Sequence, residues 1–149
     1  YTVRVASFQG ESYFAGEEQR QNVKGFGPSL DLLKYGRSRK LEEAADKAHR
    51  LTEALRKRGV EAYEFHDRFE SIVTIGSFDS VGNKLSDGRL DLRPEVYKIM
   101  RDYGAETSAL PQHGQGFKPR TLDGIQFEIQ PMPVKVPRPG LASTYALDH

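Results

Sequence analysis

The chain of 149 residues contains no cysteine. A disulfide framework, a thiolate metal site and a cysteine nucleophile are therefore all excluded. The chain also lacks an excess of either charge, since 22 lysines and arginines face 21 aspartates and glutamates. No general electrostatic attraction to nucleic acid or to an anionic membrane is expected, so a role with either would need a local patch.

Long apolar runs are missing as well, and none approaches the ~20 residues of a membrane span. Hydrophobic residues make up 37% of the chain and charged residues 29%, yet there are seven tyrosines and eight phenylalanines. This balance predicts one domain with a small core and generous loops. Because a strand-like pattern begins at Tyr1, we expect a piece of a longer chain, whose signal or anchor lies outside these residues.

Periodicity predicts four strands and two main helices. Alternation favours strands at 2–8, 60–67, 69–78 and 124–130, the middle two forming an antiparallel hairpin. Apolar residues at helical spacing predict a helix after Ser38 that closes at Gly59. A second helix is predicted in "PEVYKIMRDYG", from Pro94 to Gly104.

Three segments between these elements are predicted insertions, at about 10–40, 79–93 and 105–123. The first contains "PSLDLLKYG", which suits one or two helical turns. Beyond the last strand, "PMPVKVPRPG" predicts an extended, proline-rich exit. We therefore expect a single domain over residues 1–130, followed by a C-terminal tail over 131–149.

The element order is strand, helix, strand, strand, helix, strand. This order predicts an α+β fold of the ferredoxin-like β-α-β-β-α-β class, with a four-stranded antiparallel sheet and both helices on one face. The other face is then free. It would carry the outward residues of each alternation, while Val73 and Ile75 face the core.

An internal repeat accompanies this order. VASF at 5–8 and IGSF at 75–78 both end the strand that leads into a helix. Phe8 and Phe78 are therefore predicted to be equivalent structural plugs in the two β-α-β halves.

The chain resembles the sporulation-related repeat, or SPOR, domain of bacterial cell-envelope proteins. That family's first strand ends in a Val-Gln-hydrophobe-Gly-Ser-Phe stretch, matched by residues 3–8. Its third strand reads Val-x-hydrophobe-Gly-Pro-Phe, matched by residues 73–78, and its first helix by the alanines and leucines of 44–55 before Gly59. The chain departs from this pattern in three ways: Arg4 replaces Gln, Ser77 replaces Pro, and the insertions are long.

The resemblance implies a non-catalytic module in the periplasm or cell envelope that binds peptidoglycan glycan strands lacking stem peptides. Other envelope or division proteins are further expected partners, and no nucleic acid or membrane contact is expected. The implied contacts lie on the free sheet face, at Thr2, Arg4, Ala6, Ile72, Thr74 and Gly76. Alternation adds Gln126 and Glu128. On the second strand, either Tyr63 with Phe65 or Ala62 with Glu64 faces outward. If the aromatic residues do, they offer an apolar platform for sugar C–H faces, and Tyr63 is a further expected glycan contact.

The sequence offers no recognisable active site. None of the four histidines lies at ligand spacing from another, and the glycine-containing loops at 25–30 and 113–119 lack a phosphate-loop ending. The carboxylates show no spacing typical of a general acid/base pair. We therefore predict no catalysis, no cofactor and no metal.

Three alternatives share the element order. A structural or protein-interaction domain would have the 10–40 insertion covering the sheet. An RNA-binding domain would need outward aromatic residues on strands one and three, where the sequence has none before the strand ends. A small-molecule regulatory domain would pair its sheets into a stable dimer.

Overall fold

The fold is described by a computed structural model, which covers residues 1–9, 30–110 and 114–137. The strands and helices, in chain order, are β1 Thr2–Gln9, α1 Leu30–Lys57, β2 Ala62–His66, β3 Glu70–Ile75, β4 Gly82–Lys84, β5 Leu90–Leu92, α2 Pro94–Tyr103, β6 Glu106–Leu110, β7 Gly114–Lys118, β8 Thr121–Leu122, β9 Ile125–Gln126 and β10 Met132–Val134.

The main sheet has four strands in the order β10-β1-β3-β2, and every neighbouring pair is antiparallel. The described residues also form three two-stranded hairpins, β4-β5, β6-β7 and β8-β9. The predicted α+β class with a four-stranded antiparallel sheet is confirmed. The segment predicted as an insertion at 79–93 contains β4-β5, and the one at 105–123 contains β6-β7 and β8, whereas β9 lies beyond it.

Helix α1 is a continuous helix of 28 residues. The prediction that it begins after Ser38, with a separate short helix before it, is wrong, because residues 30–37 continue the same helix. A single glycine such as Gly36 costs only about 1 kcal/mol in a helix, which its leucine and lysine neighbours can offset. The helix is too polar to cross a membrane, and no other helix of the described residues could do so.

The predicted end of α1 at Gly59 is confirmed. Gly59 has φ +77°, a conformation that glycine adopts without strain. Its N–H donates to the carbonyl of Arg56, and the N–H of Val60 donates to that of Leu55, which satisfies two carbonyls at the helix end.

Alanines allow α1 to approach the sheet closely. Ala44, Ala48 and Ala54 are buried, together with Leu51 and Leu55 on the same side of the helix. Apart from Ala44, these residues form one hydrophobic core with the inward residues of the sheet, which include Val3, Val5, Ala62, Val73 and Ile75. α1 therefore packs against one face of β1, β3 and β2.

The predicted hairpin between β2 and β3 is confirmed, and Asp67 makes its turn. The Asp67 carboxylate accepts hydrogen bonds from the backbone N–H groups of Phe69 and Glu70, at 2.6 and 2.8 Å. These donors hold the pKa of Asp67 below its ordinary value, because they stabilise the ionised form. The Asp67 side chain therefore stabilises the turn by accepting hydrogen bonds from the backbone that follows it.

Helix α2 spans the predicted residues, with Pro94 in its first turn. Val96 is fully buried, and Ile99, Met100 and Tyr103 pack against the core from the same side. Tyr103 meets Phe127 edge to face, with ring centroids 5.2 Å apart. This contact ties α2 to the C-terminal segment.

The fourth strand of the sheet is β10, and the prediction of 124–130 for this strand is wrong. Ile125 and Gln126 instead pair with Leu122 and Thr121 in a tight hairpin. Its turn residues Asp123 and Gly124 have φ +51° and +77°, as an Asp-Gly hairpin turn requires. The sheet strand therefore comes from residues predicted to belong to the proline-rich tail.

Both outer edges of the sheet carry a feature that opposes further strand pairing. Pro133 lies in the middle of β10, and proline is tolerated only in an edge strand because it has no N–H. At the other edge, the backbone carbonyl of Glu61 accepts a hydrogen bond from the N–H of Gly76. Since successive carbonyls of a strand point in opposite directions, the carbonyl of Ala62 points away from β3. Arg56 Nε donates to that carbonyl at 2.9 Å.

Thr52 on α1 is only 1% exposed, and its Oγ1 has no hydrogen-bond partner. We expect Thr52→Val to raise stability by about 1 kcal/mol, because it removes an unsatisfied buried hydroxyl while keeping the side-chain shape. Urea unfolding measures the change, with the exposed Thr121→Val as control. A loss of stability in Thr52→Val would show that the hydroxyl has a partner in solution.

Candidate functional site

The sheet has a second face, opposite α1, which we call the outer sheet face. Its position follows from the register: Arg4 pairs with Thr74 on one side and Met132 on the other, and Thr74 pairs with Tyr63. Directly paired residues lie on the same face. One row of side chains, Met132, Arg4, Thr74 and Tyr63, therefore crosses all four strands.

The orientation of β2 settles the alternative that the sequence left open. Tyr63 and Phe65 lie on the outer sheet face, because they pair with Thr74 and Ile72. Glu64 faces α1 instead, where it contacts His49. The Tyr63 ring is 38% exposed, and its hydroxyl donates to Glu61 at 2.7 Å. That hydrogen bond raises the pKa of Tyr63, because it stabilises the protonated phenol.

Several predicted contact residues on this face are buried. Thr74 has no exposed surface, and Thr2 and Ile72 are 2% and 9% exposed. The Thr2 hydroxyl donates to the carbonyl of Ile75 at 3.2 Å. Of the predicted set on β1, β2 and β3, Arg4 and Tyr63 keep accessible side chains.

Ala6 was predicted to face outward, and this prediction is wrong. The register between β1 and β3 shifts between Arg4 and Ala6, so that Ala6 pairs with Val73. The irregularity is a β-bulge, which breaks the simple alternation of side chains. Ala6 therefore belongs to the hydrophobic core.

Gly76 was predicted to contact a ligand on the free sheet face, but the Phe78 ring occupies the space beside it. A Cβ at Gly76 would lie 2.7 Å from the Phe78 ring and 3.4 Å from Ile99. Phe78 packs against the core, as does Phe8 at the end of the first tetrapeptide. The glycine therefore serves the packing of the second phenylalanine.

Gln126 lies apart from the other predicted residues. It is exposed on β9, which is not a strand of the main sheet. Glu128, two residues further on, does reach the sheet: its N–H donates to the carbonyl of Val5 at 2.8 Å. Glu128 therefore lies beside β1, although not in a sheet strand over 124–130 as predicted.

Arg4 and Glu128 form an ion pair, with Nε and Oε1 3.0 Å apart and both side chains partly buried. Burial raises the pKa of Glu128, the positive charge of Arg4 opposes that shift, and the negative charge of Glu70 adds to it. The pair is therefore a partly desolvated contact and not a solvated surface bridge.

A cleft of about 690 Å³ opens beside this ion pair, and we call it the charged cleft. Its walls come from β1, the middle of α1, the start of β3 and the segment between β9 and β10. They include Arg4, Ser7, Glu43, Lys47, Glu70 and Glu128. Sequence reasoning missed Lys47 and Glu70. They lie on different elements at positions typical of solvated surface residues, so no spacing in the sequence connects them.

His49 and Glu64 join α1 to β2, with Nδ1 and Oε1 3.1 Å apart. The hydrogen bond and charge of Glu64 raise the pKa of His49, and Glu53 and Asp46 add smaller contributions. Because the pKa of His49 is higher in the folded state, protonation of His49 stabilises the fold. This stabilisation is fully present at a pH below the unfolded pKa of about 6.5, and it is lost as the pH rises through the folded pKa.

We therefore expect the gap in melting temperature between the wild type and His49→Gln to be larger at about pH 6 than at about pH 8. Histidine NMR titration should show the His49 pKa falling in Glu64→Gln. An unchanged titration in Glu64→Gln would contradict the contact in solution.

No group of three or more histidine, aspartate or glutamate side chains is placed to hold a metal ion within the described parts of the chain. No family model matches the chain, and neither a curated protein nor a solved structure matches it.

Proposed function

We propose that the chain is a non-catalytic module of the bacterial cell envelope, of the SPOR type, that binds peptidoglycan glycan strands at the rim of the outer sheet face. The fold proposed with it is ferredoxin-like. Its support is the connectivity: α1 joins β1 to β2 across the intervening β3, and α2 lies between β3 and β10, which flank β1. Two such split β-α-β units define that topology.

The observation that carries the proposal is the aromatic pair on β2. Tyr63 and Phe65 lie side by side on the outer sheet face, two residues apart on an edge strand. Aromatic rings with one apolar face exposed suit the C–H faces of sugar rings. In the row that contains Tyr63, Arg4 supplies N–H donors for hydroxyl or acetamido oxygens.

Burial moves the proposed contact away from the centre of the face. Because Thr2, Ile72 and Thr74 are inaccessible, a glycan would lie along the β2 rim at Tyr63, with Arg4 as its polar contact. This arrangement is less favourable for RNA. The outward residues of β1 and β3 in this region are not aromatic, so bases have no stacking platform on the central strands.

A periplasmic or envelope location, and peptidoglycan as the partner, rest on the resemblance of residues 3–8 and 73–78 to the SPOR motifs.

The test is retention on purified sacculi, either intact or enriched in peptide-free glycan by amidase treatment. We expect retention to rise on the enriched sacculi, and to fall in Tyr63→Ala and in Arg4→Gln. Tyr97→Ala is the matched control, because Tyr97 is 57% exposed on α2 and does not lie on the sheet. Equal retention on both sacculi, or equal loss in the control, would overturn the proposal.

A second candidate is a protein-interaction domain of the same fold. The burial of Thr2, Ile72 and Thr74 favours it, since an inaccessible sheet centre leaves little surface for a saccharide. In that case retention should disappear when envelope proteins are stripped from the sacculi. A dimeric regulatory domain is less favoured because Pro133 and Arg56 oppose pairing at the sheet edges; size measurement in solution checks this.

A further inference from the structure

We propose that the charged cleft binds a small zwitterion with an apolar side chain: an α-amino acid, or a short peptide with free termini. Lys47 would bind the carboxylate of the ligand, and Glu70 its ammonium group. This proposal does not depend on glycan binding: Arg4 borders both sites, but the ligand contacts proposed here, Lys47 and Glu70, are not among the proposed glycan contacts.

The other charged side chains that line the cleft, including Lys40, have partners of their own. Glu128 contacts Arg4 at 3.0 Å, and Glu43 contacts Arg39 at 3.2 Å. Within the described residues, Lys47 has no ion-pair partner, and Glu70 has no cationic partner. One positive and one negative side chain thus line the same cleft without pairing.

These two side chains are held on different elements. Lys47 lies on α1 and Glu70 at the start of β3. The Ser7 hydroxyl donates to Glu70 Oε2 at 2.7 Å, which fixes the carboxylate and leaves its other oxygen for a second donor. An anchored carboxylate loses little side-chain entropy when it binds an ammonium group.

An adjoining cleft of about 560 Å³ shares Ser7, Phe8, Lys47 and Glu128 with the first. Its further walls include the apolar residues Ile125, Phe127 and Ile129. Together the two clefts offer charged groups at one end and an apolar wall at the other. Volumes of this order suit small molecules, and a mixture of apolar walls with few convergent polar groups is typical of their sites.

Ligand chemistry gives the first test. Isothermal titration with L-leucine is compared with N-acetyl-leucine, which lacks the ammonium group, and leucinamide, which lacks the carboxylate. We expect leucine to bind, and each blocked compound to bind at least about tenfold more weakly, the size expected for one charge-assisted hydrogen bond. Trialanine with free termini, in a parallel titration, decides between a free amino acid and a peptide end.

Protein variants give the second test. Lys47→Gln and Glu70→Gln should each weaken leucine binding about tenfold; glutamine at 70 can still accept from Ser7. The controls are Lys57→Gln and Glu95→Gln, which remove like charges outside both clefts. Binding of leucinamide as tight as that of leucine, or no leucine binding at millimolar concentration, would overturn the proposal. Neither result bears on sacculus retention, so the two proposals fail separately.

Discussion

Gly76→Ala is expected to destabilise the protein by about 3 kcal/mol. Gly76 has φ +76°, where an L-residue costs about 1–2 kcal/mol. The added Cβ would also lie 2.7 Å from Cε2 and Cζ of Phe78, and overpacking of this kind costs about 1–3 kcal/mol. Urea unfolding, monitored by circular dichroism, measures the sum.

Gly88→Ala separates the two contributions. Gly88 has φ +85°, and a Cβ added to its backbone would have no neighbouring atom within 4 Å. This variant should therefore lose only about 1–2 kcal/mol, the backbone cost alone. In a Phe78→Leu background, Gly76→Ala should approach the same value. Equal losses for both glycines in the wild-type background would show that Phe78 does not occupy the space beside Gly76.

Leu51→Ala is expected to cost about 3–4 kcal/mol, and it is the second large effect. Leu51 has no exposed surface and belongs to the core between α1 and the sheet. Truncation removes buried methyl groups and leaves a cavity that its rigid neighbours fill only in part.

The matched control is Leu85→Ala in the turn between β4 and β5. Leu85 is 43% exposed, so its truncation should change stability by less than about 0.5 kcal/mol. A small loss in Leu51→Ala would mean that the contact between α1 and the sheet is looser than the burial indicates.

Local patterns predicted several elements well. Helix α2 spans the predicted residues because Pro94, the apolar stripe of Val96 and its neighbours, and Gly104 all mark it within 11 residues of sequence. The β2-β3 hairpin was also predictable, because Asp67 can close its turn without help from distant residues.

The last sheet strand could not be predicted in the same way. "GIQFEIQ" alternates as a strand should, and "PMPVKV" contains two prolines, so local pattern favours the wrong segment. The pairing of Met132 with Arg4 and of Val134 with Thr2 is decided by tertiary contact. The Asp123-Gly124 pair was a hairpin signal that would have corrected the assignment.

The site was predictable only where the strands are regular. Tyr63 and Arg4 were among the predicted contacts, but the bulge that moves Ala6 inward depends on the partner strand and leaves no mark in β1 itself. The charged cleft could not be predicted from the sequence, for a different reason. Lys47 and Glu70 are 23 positions apart, and only the packing of α1 against the sheet brings them to one surface.

Pro133 and the hydrogen bond from Arg56 to Ala62 have a consequence for crowding. Exposed strand edges are where sheets join neighbouring chains and begin to aggregate. In the described residues each edge of this sheet is interrupted, on one side by a residue without an N–H and on the other by a guanidinium. Many copies can therefore be crowded together without exchanging strands between their main sheets.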